Sequence, residues 1–251
     1  MIIIDPILII DSGHGGKDPG GGTNHLWKEK DFALQISLYQ YDRFRQLGIP
    51  VTLTRNEDVF ISSVDRARIV RESGAQYCFS NHINAGGGDG VETIHSIHTD
   101  PTLATRLAQG IVDEGQNLRR VFSRRLTTDP KKDYFFMHRE TGSVRTTIIE
   151  YGFADSKLDD VEQLQTYWMD YAEAVVKTFT TFIGREYKSP NQMLPKVQRK
   201  VNGLLNGERV TIDSYLIKNT TYVPLRFIGE SLDAKVVWDA QRNEYNIVTK
   251  K

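Results

Sequence analysis

A run of four aliphatic residues, Ile7-Leu8-Ile9-Ile10, leads without a break into Asp11-Ser12-Gly13-His14-Gly15-Gly16-Lys17-Asp18-Pro19-Gly20. Successive aliphatic residues, three of them β-branched, make a strand buried on both faces, the kind found inside a parallel sheet. The glycines that follow permit positive φ and close approach of other groups to the backbone. A histidine on such a loop stands at the carboxyl edge of a strand, where open α/β sheets bind their ligands. Its imidazole is suited there to hold a metal or carry a proton, against the alternative of an incidental surface histidine.

Strand and helix signals then alternate along the chain. Residues 28–47 read as an amphipathic helix stopped by Gly48, and 51–54 as a strand. A helix over 63–71 precedes the strand 77–80, and a half-exposed strand follows over 91–98. Pro101 opens a helix expected to run to about residue 118. The run Thr146-Thr147-Ile148-Ile149 is a strand, followed by helical stretches over 158–165 and 167–183. This order predicts an α/β domain over residues 1–186, an open and mostly parallel sheet flanked by helices on both faces. Residues 187–195 hold two prolines and read as a linker. Short strand signals over 196–201, 208–212, 221–223, 235–238 and 245–248 predict a small α+β domain over 196–251. Asn202-Gly203 and Asn206-Gly207 mark turns in it, and 224–232 reads as a helix opened by proline.

Three more ionisable residues take positions like that of His14. Glu29 starts the first helix, His82 follows the strand 77–80, and Glu150 ends the strand 146–149. Parallel strands align their carboxyl edges, so such residues converge in space. Two imidazoles and a carboxylate are a donor set that leaves zinc an open position for water, and a further carboxylate supplies a general base.

Residues 7 to about 184 resemble the zinc-dependent N-acetylmuramoyl-L-alanine amidases of type 3, found in bacterial autolysins and phage endolysins. Four blocks carry the resemblance, in order: Asp11 to Gly20, Glu29-Lys30, Ser80 to Ala85, and Glu150-Tyr151-Gly152-Phe153. It implies that His14, Glu29 and His82 ligate Zn2+ and that Glu150 is the catalytic carboxylate. It also implies a substrate, bacterial peptidoglycan, cut between the N-acetylmuramic acid lactyl group and L-alanine. Asp11 is the expected carboxylate partner of a ligating histidine, or else a turn residue. Asn84 and His138 are further candidates to support the site or touch substrate, His138 from an aromatic segment at 135–139. His25, His95 and His98 are weaker ones. The chain departs from the family pattern at Ser12, Asn81 and Tyr151; these differences are expected to bear on substrate fit. A zinc peptidase acting on the stem peptide and a non-catalytic wall-binding protein are the alternatives, the second opposed by the four intact residues.

The tail segments Thr221 to Glu230 and Ala234 to Asp239 resemble the small copper amine oxidase N-terminal-like domain. No histidine or cysteine follows His138, so copper is not expected there. The tail's surplus of about four positive charges suits anionic wall polymers. The basic cluster Arg119-Arg120, Arg124-Arg125 and Lys131-Lys132 reads either as a solvated helix end or as a contact for wall polymers or acidic groups of the stem peptide. Across 251 residues 32 basic and 32 acidic side chains balance, which gives no global field for nucleic acid. The single cysteine, Cys78, excludes an internal disulfide and reads as buried. Residues 1–6 lack a basic segment and are broken by Asp5-Pro6, unlike a secretory signal, and no stretch suits a membrane span. The expectation is a monomer made in the cytoplasm that reaches the wall after holin-type release or mother-cell lysis.

Overall fold

Strand β1 (Leu8–Ser12) is buried at all its positions, because parallel partners flank it on both sides. These are β2 (Val51–Leu53) and β3 (Tyr77–Asn84). The computed structural model describes residues 6–193, 199–205, 208–217, 220–223, 225, 228–229, 234–239 and 244–249. The chain divides into two compact units, Met1–Ser189 and Pro190–Lys251.

In the first unit a six-stranded sheet has the order β2, β1, β3, β8 (Arg145–Phe153), β4 (Val91–His95) and β5 (Leu118–Phe122). Strand β8 lies parallel to β3. Strand β4 runs antiparallel to β8 and parallel to β5. Side chains alternate between two cores. Leu8, Ile10, Phe79, Ile149 and Tyr151 pack with Ile36 and Phe44 of α1 (Glu29–Gln46), Leu107 of α3 (Thr102–Asp113), and Val175 and Phe179 of α5 (Asp160–Phe182). On the other face Ile9, Cys78, Ile94 and Ile148 meet Val70 of α2 (Ser63–Glu72) and Met137 of α4 (Phe136–Arg139). Helices thus cover both faces, as the alternation of signals implies.

Several boundaries differ from the sequence reading. Helix α3 stops at Asp113 rather than near 118, because Gly115 turns the chain at φ 103° and Leu118 opens β5. A small hairpin, β6 (Arg125–Leu126) with β7 (Asp129–Asp133), then occupies what reads as a charged helix end. Strand β3 continues through His82 to Asn84, since β8 keeps pairing with it past a register shift. Strand β4 ends at His95 and is buried at four of its five residues, not half-exposed, because it is flanked by strands on both sides and lies under α3. The two stretches at the end of the domain form one helix, α5, with Leu164, Tyr171, Val175 and Phe179 on its buried stripe.

The departures at Asn81 and Tyr151 serve the core. Asn81 Nδ2 donates to Ser37 Oγ and Gln40 Oε1, Gln40 Nε2 donates to the Tyr151 hydroxyl, and that hydroxyl donates to Asn81 Oδ1. All four side chains are buried, and the closed network satisfies polar groups that would otherwise be costly there. Ser12 is also wholly buried. All three side chains are buried, Asn81 and Tyr151 within this network, where they were expected to bear on substrate fit.

In the second unit one helical turn, α6 (Pro190–Met193), falls within the stretch read as linker. Strands β9 (Arg199–Leu205), β10 (Glu208–Ile217) and β11 (Thr220–Tyr222) form an antiparallel sheet, and β12 (Ala234–Asp239) pairs with β13 (Glu244–Thr249). Asn202-Gly203 is not a turn but part of β9, opposite Thr211 and Val210. Asn206-Gly207 lies outside the described residues, as does most of the helix expected over 224–232. Among the described residues no helix is long and apolar enough to cross a membrane.

Candidate active site

Beyond β1 the chain turns sharply, and His14 takes φ 58°, a left-handed conformation that costs a residue with a Cβ about 1–3 kcal/mol. Two arginines hold it. Arg66 of α2 donates to the carbonyls of Ser12 and His14 and to the buried Asp11 carboxylate. Arg55 donates to the carbonyls of Ser12 and Gly13. A Cβ on Gly13 would fall on the His82 ring, and one on Gly20 would fall on the Glu29 side chain. These glycines let three segments close around one point.

His14, Glu29 and His82 meet there, each offering a ligand atom within 4.8 Å of the others. Glu29 is 2% exposed at the start of α1. Its Oε1 accepts from His82 Nδ1 at 2.8 Å, His14 Nε2 at 3.1 Å and the Ile83 amide at 3.2 Å. Its Oε2 accepts from the Gly22 amide at 2.7 Å. Burial opposes charge on this carboxyl, yet its bonds to His14 and His82 hold it far below the usual carboxylate range. Burial likewise opposes charge on His82, but the bond to Glu29 and the negative charges of Glu29, Glu150 and Asp11 push it up to about 9. His14 is raised too, against its burial, by Glu29 and Asp18.

This arrangement fits a divalent cation. A buried carboxylate and two half-buried imidazoles, held at one point by backbone amides and arginines, are the mixed nitrogen and oxygen set that zinc takes with an open position. The carboxylate that orients His14 is Asp18, whose Oδ2 lies 2.8 Å from His14 Nδ1. Asp11, expected in that role, instead accepts from Arg66, from Thr54 Oγ1 at 2.8 Å and from Ser80 Oγ at 2.7 Å, and fixes the end of β1. A second acidic group, Asp89, Asp159 and Asp160, also clusters. Its oxygens are taken up by Gly90, Phe153, Asn117, Ser156 and Gln163, so it ties loops together.

Glu150 stands beside His82 in the β3–β8 register. Its Oε2 is buried and has no hydrogen-bond partner among the described residues. Burial, helped by the charges of Glu29 and Glu92 and opposed by His82, pushes its carboxyl up to about 7. A carboxyl that gains and loses a proton near neutrality is suited to general acid–base work.

Asn84 lies at the same edge, where its Nδ2 donates to Glu92. His138 does not. It packs against Phe135 and lines a cavity of about 640 Å³ with Ser96, Asp133 and Thr146, near the start of β8 and so at the far end from Glu150. It is no part of this site. His25 is exposed, and His95 and His98 bond to the carbonyls of Ser96 and Lys131. Sequence reasoning missed Arg55, Arg66, Asp18 and Glu92; only Asp18, four residues after His14, carries a local signal.

The N-acetylmuramoyl-L-alanine amidase family matches residues 8–181, and the copper amine oxidase N-terminal domain matches 199–251. An endolysin of Bacillus phage SPP1 is 37% identical over 43% of this chain and 40% of its own length. A sporulation-specific N-acetylmuramoyl-L-alanine amidase of Bacillus subtilis is 31% identical over 63% of this chain and 60% of its own. The chain thus spans less than two thirds of the length of either relative. The solved N-acetylmuramoyl-L-alanine amidase AmiC2 of Nostoc punctiforme shares the fold, with a TM-score of 0.62 at 23% identity, over 72% of this chain and 98% of that one. Because the family match runs through every strand of the six-stranded sheet and through His14, Glu29, His82 and Glu150, the chain belongs to the N-acetylmuramoyl-L-alanine amidases.

Proposed function

We propose that this chain hydrolyses the amide between the lactyl group of N-acetylmuramic acid and L-alanine in peptidoglycan, with zinc held by His14, Glu29 and His82. The observation that carries the reading is the convergence of these three side chains beside Glu150, whose Oε2 is buried without a partner among the described residues. Zinc bound there would polarise the amide carbonyl and lower the pKa of a water to about 7. Glu150 accepts the proton of the attacking water, and no donor among the described residues competes for its Oε2. The same carboxyl then returns the proton to the departing alanine nitrogen, which leaves as a free amine. Asp18 and the backbone amides of Gly22 and Ile83 keep His14 and Glu29 oriented throughout. The basic tail unit is assigned a role in holding the chain to anionic wall polymers.

The test is digestion of purified Gram-positive peptidoglycan by the full chain with zinc. New amino-terminal L-alanine, without new reducing sugar ends, is the expected product. New amino termini of other stem residues would make the chain a peptidase, and no release from several walls would leave wall binding alone.

A further inference from the structure

Next to Glu150 lies a group that the proton transfers above do not use. Glu92 of β4 pairs with Glu150 of β8, and Arg120 of β5 pairs with Glu92. Neighbouring strands are spaced about 4.8 Å apart, so Arg120 lies roughly 10 Å from Glu150 across the sheet. Glu92 is 2% exposed, and its Oε1 accepts from both Arg119 Nε and Arg120 Nε, each at 2.8 Å. Its Oε2 accepts from Asn84 Nδ2 at 3.1 Å and from Arg120 Nη2 at 3.4 Å. Two guanidinium groups therefore share one carboxylate, and one positive charge is left over.

Each guanidinium also rests near an aromatic ring. Arg120 Cζ lies 3.9 Å from the Phe122 ring centroid, and Arg119 Cζ lies 4.9 Å from that of Phe153. Yet the two side chains are 54% and 42% exposed. Among the described residues Arg120 Nη1 and both Nη atoms of Arg119 make no hydrogen bond. Neutralising Glu92 needs one arginine and no exposed edge. A second arginine, packed beside a ring and with terminal N–H groups unbonded among the described residues, suits an anion with two oxygens.

We infer that Arg119 and Arg120 form a subsite for a carboxylate of the substrate's peptide, one that selects a free acid at the second stem residue. The inference rests on the amidase reading. An extended peptide advances about 3.4 Å per residue, so a carboxyl one or two residues beyond the cut amide falls within reach of these side chains. Phosphate on a wall polymer would satisfy the same donors, but the short span to Glu150 favours the peptide being cut.

The test compares two soluble muramoyl-peptide substrates that differ only in whether the second stem residue carries a free acid or a primary amide. Each is given to the zinc-loaded full chain, to Arg120→Gln, and to the double variant Arg119→Gln/Arg120→Gln. A charge-assisted pair predicts that wild type prefers the acid by about 10- to 100-fold in kcat/KM, and that the double variant brings the ratio to about one. Arg120→Lys, which keeps the charge without the fork, is expected to fall between. A purely structural role would lower both substrates equally and keep the ratio, which overturns the inference. A wild type indifferent to the amide also overturns it and leaves the amidase standing. Failure of wild type to cut either substrate overturns the amidase reading instead.

Discussion

Replacing Glu150 by glutamine is expected to lower kcat by roughly 10²- to 10⁴-fold on muramoyl-peptide substrates, the range a positioned general base contributes. The same change is expected to stabilise the metal-free protein at pH 8. Glutamine keeps the shape of the side chain but accepts no proton. The stability effect follows from the carboxyl's position in the metal-free fold, where burial pushes it from 4.5 up to about 7. A carboxyl raised on folding costs nothing below pH 4.5, where it is protonated in both states. Its cost appears as pH rises from there and is complete above 7. Full expression of that shift would amount to at most roughly 3 kcal/mol. Thermal unfolding of metal-free wild type and variant should therefore coincide near pH 4.5 and separate by pH 8, with the variant melting higher. A variant that is inactive and also less stable at pH 8 would mark Glu150 as structural.

Removing the metal is expected to lower activity by roughly 10³-fold or more, restored by zinc, because the ion supplies several kcal/mol at the reacting carbonyl. Cooperative unfolding should survive chelation. The turn at His14 is anchored by Arg55 and Arg66, and its residues belong to neither apolar cluster on the two faces of the sheet. Zinc affinity should rise with pH. In the metal-free protein His82 is pushed up to about 9 and His14 is also raised, so near neutral pH a proton must leave His82 before its imidazole can bind the ion. One displaced proton gives about a tenfold change per pH unit. Competition with a chromophoric chelator at pH 6.5 and 8.5 should show tighter binding at 8.5 by about 100-fold or more. Equal affinity at the two values would mean that these imidazoles are not ligands.

Much of the site was legible because strand ends announce themselves. Ile7 to Ile10 and Thr146 to Ile149 are unbroken runs with few readings other than buried strands, and the residues that follow them must share an edge of the sheet. What failed was whatever depends on a distant partner. Arg119 and Arg120 look like a solvated helix end until Glu92 is seen between them on the neighbouring strand. Asn81 and Tyr151 look like substrate-facing departures until Ser37 and Gln40 of α1 close the network around them. Asp11 and Asp18 both flank His14 in sequence. Which of them reaches the ring is decided by Arg66, which arrives from α2 and takes Asp11. His138 sits in an aromatic segment suited to a groove, but its place near the start of β8 depends on the hairpin that the sequence hid.

The central claim is that His14, Glu29 and His82 hold the ion on which the chemistry depends. Anomalous diffraction at the zinc edge, from crystals of the zinc-loaded and active protein, tests it most directly. One peak within bonding distance of those three side chains is the predicted result. A peak at Asp89, Asp159 and Asp160 alone, or none in crystals whose protein still releases L-alanine termini, would contradict it.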